Sequence, residues 1–257
     1  MSENSSQPGR PIWVDLSTTD ADKARAFYTE LFGWTYEDTG ADFGHYNLIK
    51  NGTAYIGGLM GKVPGSDAGP DAWTVYLETP DVAATCDKAA AHGGSVPVPP
   101  MPIGALGTMG VVTDPGNAAT GAWQQGAFEG IQSLMVAGAP CWFELLTPAY
   151  DATVDFYRDV FGWDIVPMGD SDDFRYATNG PEETATAGIW QVDSLPEGQP
   201  GYWRTYLGTA DVEATARRIV ELGGSVISDV QDSPYGRFGE FTDDQGARFV
   251  AIAAPRG

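Results

Sequence analysis

The chain repeats its own sequence at a spacing of half its length. Residues 11–34, PIWVDLSTTDADKARAFYTELFGW, align with residues 140–163, PCWFELLTPAYDATVDFYRDVFGW, and 10 of the 24 positions are identical. A shift of 130 positions aligns residues 73–96 with residues 203–226, with 12 identities in 24. Unrelated segments of this length share roughly one or two residues, so the repeat indicates an internal duplication. The two halves therefore have the same fold.

The length of the chain fits two domains. Its 257 residues match two units of roughly 100–130 residues, each large enough to bury a core of its own. We predict a disordered N-terminal tail over residues 1–10 and a first domain over residues 11–126. A linker over residues 127–139 then leads to a second domain over residues 140–254.

Charge and cysteine content restrict the partners and the compartment. The chain has 35 acidic and 14 basic residues, a formal charge of −21, which repels nucleic acids and anionic membranes. Cys86 and Cys141 form neither a disulfide framework nor a zinc-binding spacing. The first residues lack the apolar core of a signal peptide, and no apolar run approaches the roughly 20 residues that span a bilayer. We therefore predict a cytoplasmic protein.

Each half shows a strand followed by a helix twice. In the first half, residues 11–16 alternate as a strand, and Asp20 is placed to cap a helix over residues 21–32. Residues 73–78 form the next such strand, followed by a helix that Asp81 caps. Three further strands follow each helix, so the fold class is α+β, with two modules in each half.

Period-two alternation assigns the two faces of the first strand. Ile12, Val14 and Leu16 form an aliphatic side that suits packing under the helix, so Trp13 and Asp15 point to the other face. The second half has the same arrangement, with Trp142 and Glu144 on the face away from the helix. A carboxylate beside a tryptophan thus occurs in both halves.

The motifs FYTELFGW and FYRDVFGW, the helices that end in Gly-Gly, and the turns DPGN and DDQG resemble the vicinal oxygen chelate superfamily. This superfamily contains the glyoxalase, bleomycin resistance and dioxygenase proteins. The resemblance covers essentially the whole chain beyond residue 10. It extends in particular to two-domain members described as hydroxylase-like proteins or mycobacterial 27-kDa antigens. It implies a tandem duplication of a glyoxalase-like domain, in which paired βαβββ modules form a curled-sheet cup.

The resemblance also assigns positions to a metal site. Metal-binding members use His or Gln, His, and Glu at three positions of the cup, which in this chain are occupied by Trp13, Thr74 and Gly121 in the first domain and Trp142, Arg204 and Val250 in the second. Divalent metals need imidazole or carboxylate donors, which these six side chains do not supply. We therefore predict no metal and no cofactor.

The residues that face the cups are the candidate ligand-binding residues. They are Trp13, Asp15, Thr74, Tyr76, Gly121 and Trp123 in the first cup and Trp142, Glu144, Arg204 and Tyr206 in the second. Aromatic rings around an acid suit a planar or cationic ligand, and Gly121 is expected to leave space for it. In the second cup, Glu144 and Arg204 either form a buried ion pair or bind an anionic ligand together.

Three functions are compatible with these features. The first is a metal-independent small-molecule binding protein, monomer or homodimer, that sequesters or carries an aromatic metabolite or antibiotic. The second is an enzyme of the lyase, isomerase, hydroxylase or dioxygenase type with an atypical metal or organic cofactor. Asp15 or Glu144 would then act as the general base. The third is a structural protein whose cups are filled by its own aromatic side chains.

Overall fold

The computed structural model describes residues 7–63, 65, 69–171, 173–193, 195 and 199–253, which form four successive modules. The first module contains β1 (Pro11–Thr18), α1 (Ala21–Phe32), β2 (Thr35–Asp38), a short 3₁₀ helix (Ala41–Phe43), β3 (Asn47–Asn51) and β4 (Ala54–Gly61). The second contains β5 (Ala72–Glu78), α2 (Val82–Ala91), β6 (Ser95–Ile103), β7 (Gly107–Thr113) and β8 (Ala119–Gln125).

The second half repeats this order. The third module contains β9 (Pro140–Thr147), α3 (Tyr150–Phe161), β10 (Val166–Ser171), β11 (Phe174–Thr178) and β12 (Ala187–Gln191). The fourth contains β13 (Tyr202–Thr209), α4 (Val212–Glu221), β14 (Ser225–Ser233), β15 (Gly236–Thr242) and β16 (Arg248–Ala253).

Each half of the chain contributes one open eight-stranded sheet. The strand orders are β2-β3-β4-β1-β5-β8-β7-β6 and β10-β11-β12-β9-β13-β16-β15-β14. In every module the first strand runs parallel to the fourth, while the last three strands pair antiparallel with one another. These pairings are those of a βαβββ module, which confirms the predicted α+β class.

Sequence signals set the ends of the first helix. The side chain of Asp20 accepts hydrogen bonds from the backbone N–H groups of Asp22 and Lys23, which satisfies donors that have no partner within the helix. Gly33 ends α1 in the left-handed conformation at φ 73°, which favours glycine. The helix therefore occupies Ala21–Phe32, as predicted.

The compact units of the structure are not the two halves of the sequence. One unit comprises Met1–Ile12, Val75–Glu129 and Phe143–Trp203. The other comprises Trp13–Thr74, Gly130–Trp142 and Arg204–Gly257. Each unit thus combines one module of the first half with one module of the second, and the reason lies in a buried polar network inside each unit.

In the first unit this network joins α3 to a turn of the other half. The hydroxyl of Tyr157, in the motif FYRDVFGW, lies 3.3 Å from Oδ2 of Asp114, in the turn DPGN. Tyr157 also shares a 2.7 Å hydrogen bond with the Thr120 hydroxyl, which accepts a hydrogen bond from Trp203 Nε1 at 2.9 Å. Because all four side chains are buried, these hydrogen bonds satisfy groups that water cannot reach.

The second unit contains the equivalent network. The Tyr28 hydroxyl, in the motif FYTELFGW, donates to Oδ2 of Asp243 at 3.2 Å and accepts from Trp73 Nε1 at 3.1 Å. Trp34, the last residue of that motif, donates from Nε1 to the carbonyl oxygen of Gly138 at 2.7 Å. Each FYxxxFGW motif therefore binds its own helix to backbone or turn residues that lie far away in the sequence.

Two residues of the predicted N-terminal tail make defined contacts with the first unit. Trp163 Nε1 donates to the carbonyl oxygen of Gly9 at 2.8 Å, and Arg10 Nε pairs with the buried Glu78 carboxylate at 2.9 Å. Gly9 and Arg10, which were predicted to lie in a disordered tail, therefore make defined contacts with the indole and the carboxylate. Residues 1–6 of the predicted tail lie outside the described residues. Among the described residues, no helix is both long enough and apolar enough to cross a membrane.

Burial makes Asp114 an unusual carboxyl group. Loss of hydration raises its pKa to about 6, although hydrogen bonds from the N–H groups of Ala118 and Gly116 and from the Tyr157 hydroxyl oppose the shift. Burial likewise raises the pKa of Asp243, the equivalent residue of the second unit. Both turns therefore hold a carboxyl group that binds a proton more readily in the folded chain than in the unfolded chain.

We predict that Asp114 makes the folded chain less stable as the pH rises. Between the unfolded pKa of 3.8 and the folded pKa of about 6, the folded state binds more protons, so the free energy of unfolding falls with increasing pH. Relative to Asp114→Asn, the wild-type protein should lose about 1 kcal/mol between about pH 5 and pH 7.5 in urea unfolding. The control is Asp229→Asn at an exposed position. If the difference in free energy of unfolding between the wild-type protein and Asp114→Asn stays the same across this pH range, the prediction is contradicted.

We predict that the Tyr28 hydroxyl is needed for stability. Tyr28→Phe removes the donor to Asp243 and the acceptor of the Trp73 indole N–H, which leaves both buried groups without this partner. The free energy of unfolding should fall by about 1–3 kcal/mol. Tyr235→Phe is the matched control, because Tyr235 is 69% exposed and its change should stay within about 0.5 kcal/mol.

Candidate functional site

Each module has a face that points away from its helix, which we call the helix-free face. In the second module, a Cβ atom on Gly110 of β7 would lie 2.9 Å from Val82 Cγ1 of α2, so Gly110 faces the helix. Because strand residues alternate, its neighbours Met109 and Val111 lie on the helix-free face. Their register partners on β8, Trp123 and Gly121, lie there too.

On the helix-free face of the first module, an indole, a phenol and a carboxylate lie in a row. Trp13 Nε1 donates to the Tyr46 hydroxyl at 2.7 Å, and this hydroxyl lies 3.4 Å from Oδ2 of Asp15. Trp13 and Asp15 are both buried. The arrangement directs a hydroxyl hydrogen toward the carboxylate, which holds Asp15 as an oriented acceptor.

Gly58 on β4 makes this arrangement possible. It is the register partner of Asp15, and a Cβ atom at Gly58 would lie 1.7 Å from the Tyr46 hydroxyl oxygen. A side chain at this position would therefore displace Tyr46. Tyr46 and Gly58 are not among the site residues predicted from the sequence.

The third module repeats the same contact. The Tyr176 hydroxyl oxygen would lie 2.2 Å from a Cβ atom at Gly188, and Gly188 is the register partner of Glu144. The pairs Tyr46 and Tyr176, and Gly58 and Gly188, are each 130 positions apart in the sequence. This spacing was the signal that could have found them.

In the second module, Tyr76 occupies the space that Gly121 leaves. Tyr76 on β5 and Gly121 on β8 are register partners, and a Cβ atom at Gly121 would lie 2.1 Å from Tyr76 Cδ1. The expectation that Gly121 leaves room for a ligand is therefore wrong, since the Tyr76 ring fills that room. Thr74, also on β5, is half-buried.

Trp123 lies on the same face of the second module, beside apolar groups and the buried carboxylate of its β5 register partner Glu78. Its ring meets Phe128 edge to face, with centroids 5.5 Å apart, and Met109 is its register partner. Its indole nitrogen is buried and has no hydrogen-bond partner among the described residues. Phe128 lies in the segment predicted to be a linker, which is why it was not considered as a site residue.

The helix-free face of the fourth module combines an ion pair with an apolar cluster. Arg204 Nη2 lies 2.6 Å from Oε2 of Glu240, and Arg248 Nη1 lies 3.9 Å from Oε1 of the same carboxylate. Glu240 on β15 was not identified from the sequence. Pairing of Arg204 with Glu144 stays a prediction. The apolar cluster contains Tyr206, Val250 and Ile252 of this module together with Cys141 of β9, and Trp142 of β9 and Phe238 pack against it.

The positions assigned to a metal do not fit one. Trp13 uses its indole N–H as a donor, Arg204 carries a positive charge already paired with Glu240, and Val250 is fully buried in the apolar cluster. None of these groups offers a lone pair to a divalent cation. Within the ranges that the structure describes, no three His, Cys, Asp or Glu side chains are grouped so as to hold a metal ion.

The histidines and cysteines lie in other environments. His45 pairs with Asp38 at 2.9 Å, and both side chains are more than half exposed. Burial raises the pKa of the Cys141 thiol to about 11 and also raises the pKa of the Cys86 thiol. Because both thiols stay protonated near neutral pH, neither is an activated nucleophile.

Comparison with known proteins agrees with this fold. The family model described as Glyoxalase/Bleomycin resistance protein/Dioxygenase superfamily matches residues 10–119 and again residues 141–250. The chain belongs to this superfamily. The resemblance stated from the sequence and the predicted tandem duplication of a glyoxalase-like domain are therefore confirmed.

Two relatives in this superfamily span nearly the whole chain. "Putative glyoxylase CFP32" of Mycobacterium tuberculosis (strain CDC 1551 / Oshkosh) is 35% identical over 250 residues, covering 95% of this chain and 94% of that protein. "Anthracycline biosynthesis protein DauV" of Streptomyces sp. (strain C5) is 33% identical over 263 residues, covering 95% and 93%. Among solved structures, the 2,3-dioxygenase LapB from Pseudomonas sp. KL28 has a TM-score of 0.67 at 12% identity, covering 98% and 94%. This last likeness shows the fold alone.

We predict that Gly58→Ala disrupts the helix-free face of the first module. The added methyl group would displace the Tyr46 hydroxyl and with it the acceptor of the Trp13 indole N–H. Forcing a methyl group into a packed site typically costs about 1–3 kcal/mol, which urea unfolding would detect. Gly61→Ala on the same strand is the control, because the nearest atom would be Ala21 Cβ at 3.7 Å. Equal stability of the two variants would contradict the prediction.

Proposed function

We propose that this chain binds a planar polycyclic aromatic molecule on the helix-free faces of its modules, without using a metal ion. The observation that carries the proposal is the row formed by Trp13, Tyr46 and Asp15. An indole supplies a flat apolar surface, and the oriented carboxylate beside it supplies an acceptor for a donor or cationic group of the ligand.

The chemistry of relatives supports this ligand class. DauV, which is 33% identical to this chain, is named as an anthracycline biosynthesis protein. Anthracyclines are planar polycyclic aromatic compounds, and such rings match the stacking surfaces that tryptophan and tyrosine provide. The formal charge of −21 favours neutral or cationic members of the class over anionic ones.

The side chains at the assigned positions support binding without a metal. Trp13, Arg204 and Val250 have no donor for a divalent cation, whereas all three suit contact with organic groups. The binding energy then comes from buried aromatic surface and from polar contacts with the carboxylate.

A second candidate function is catalysis on the same class of molecule. The Tyr46 hydroxyl, which accepts a hydrogen bond from the Trp13 indole, orients the buried Asp15 carboxylate, and a positioned carboxylate of this kind can act as a general base. Glu144 lies at the equivalent position of the second half. The superfamily to which the chain belongs includes dioxygenases by name, and this candidate covers lyase, isomerase, hydroxylase or dioxygenase chemistry.

We predict that the anthracycline daunorubicin binds the protein through Trp13 and Asp15. Titration followed by tryptophan fluorescence should give about fivefold weaker binding for Trp13→Phe, because the larger indole surface is lost. Asp15→Asn should bind about tenfold more weakly, since a charge-assisted hydrogen bond is lost. EDTA should leave the daunorubicin affinities of both variants unchanged.

The control is Asp87→Asn, which removes the same charge from an exposed position on α2. Daunorubicin is a cation, so a general effect of the negative field would weaken binding equally in both aspartate variants and vanish in high salt. Equal affinities of Asp15→Asn and Asp87→Asn would contradict the proposed site. Conversion of the ligand to a product, detected by mass spectrometry and abolished in Asp15→Asn, would establish the second candidate instead.

A further inference from the structure

The buried tryptophans differ in whether their indole N–H groups have a hydrogen-bond acceptor. In the part of the chain that the structure describes, six tryptophans are buried. Five of these donate their indole N–H to an acceptor, namely Trp13, Trp34, Trp73, Trp163 and Trp203. The sixth is Trp123, which is 8% exposed and whose Nε1 has no acceptor among the described residues. A buried donor without an acceptor is energetically unfavourable and uncommon in folded proteins.

Packing does not explain an indole at this position. Trp123 packs against Phe128, and its ring lies 2.8 Å from the point where a Cβ atom of Gly107 would be. A phenylalanine could make an apolar contact with Phe128 without an unsatisfied donor. In the fourth module the repeat places Ile252 at the equivalent position. The fold therefore does not require an indole N–H here.

The surroundings of Trp123 point to the type of group that completes its hydrogen bonding. Its register partner Met109 and its ring partner Phe128 are apolar. Its other register partner, on β5, is Glu78, a buried carboxylate that pairs with Arg10. A buried hydrogen bond is stronger than one in water, and the carboxylate of Glu78 beside Trp123 opposes an anionic acceptor. The formal charge of −21 further opposes a carboxylate or phosphate. A neutral carbonyl or quinone oxygen on a flat ring system meets both conditions.

We infer that the indole N–H of Trp123 is the specificity-determining donor of the second module, and that it selects ligands whose planar rings carry a neutral carbonyl or quinone oxygen. The inference rests on the proposed function and deepens it, because it states which polycyclic aromatic molecules are preferred. The preference arises from the unsatisfied donor, since a ligand without an acceptor leaves it unsatisfied in the complex as well.

The test uses two flat tricyclic probes of nearly the same shape. 9-Fluorenone carries a carbonyl group where fluorene carries a methylene group. We expect the wild-type protein to bind fluorenone about five- to tenfold more tightly than fluorene. Trp123→Phe should bring this ratio close to one, with little change in fluorene affinity. Trp163→Phe is the matched control, because it removes an indole that donates to the Gly9 carbonyl oxygen and should leave the ratio unchanged.

A second measurement reports on the N–H group itself. In a ¹H–¹⁵N spectrum of the wild-type protein, the Trp123 indole resonance is identified by its disappearance in Trp123→Phe. Fluorenone should move this resonance downfield, as a new hydrogen bond requires, whereas fluorene should not. This measurement uses the wild-type chain with each ligand, so the inference remains testable if the substitution impairs folding.

The outcomes separate the inference from the proposed function. If fluorenone and fluorene bind with equal affinity, and the Trp123 resonance responds to both in the same way, the inference fails while binding of planar aromatics stands. If neither probe nor daunorubicin binds the wild-type protein, the proposed function fails and the inference fails with it. A fluorenone preference that persists in Trp123→Phe would also overturn the inference.

Discussion

The structure depends on two buried hydrogen bonds between a tyrosine of one half and an aspartate of the other. Tyr28 binds Asp243 and Tyr157 binds Asp114, and all four side chains are buried. A carboxyl group in such a place is costly without partners, so each half is completed only by the other. This explains why the compact units combine modules from both halves. The motif FYxxxFGW therefore helps to hold a module of one half against a module of the other half.

Local sequence signals predicted the elements well because the forces that set them are local. Capping by Asp20, the stop at Gly33 and period-two alternation in β1 each depend on neighbouring residues, and α1 has the predicted bounds. The exchange of partners between the halves could not be predicted in this way. Tyr28 and Asp243 are 215 residues apart. The sequence of the turn does not indicate which tyrosine its aspartate will contact. For the same reason, the anchoring of Gly9 by Trp163 was missed.

The candidate site was predicted in part. Alternation correctly placed Trp13 and Asp15 on one face, but it gave no information about what the third strand or its preceding loop brings to them. Tyr46 reaches Asp15 because Gly58 has no side chain, and such a pairing of a large residue with a glycine needs the register of three strands. Gly121 shows the same limit, since the space it leaves is taken by Tyr76.

Between the two halves, the residues on the helix side of the sheets have diverged less than those on the helix-free faces. On the helix side, tyrosine, tryptophan and aspartate recur at equivalent positions in both units. On the helix-free faces, Gly121 and Trp123 of the second module are replaced by Val250 and Ile252 in the fourth. The fourth module adds Arg204 with Glu240. The buried polar network of the scaffold is retained while these faces differ between the halves, so under the proposed function the two halves of the duplicated chain recognise different ligand groups.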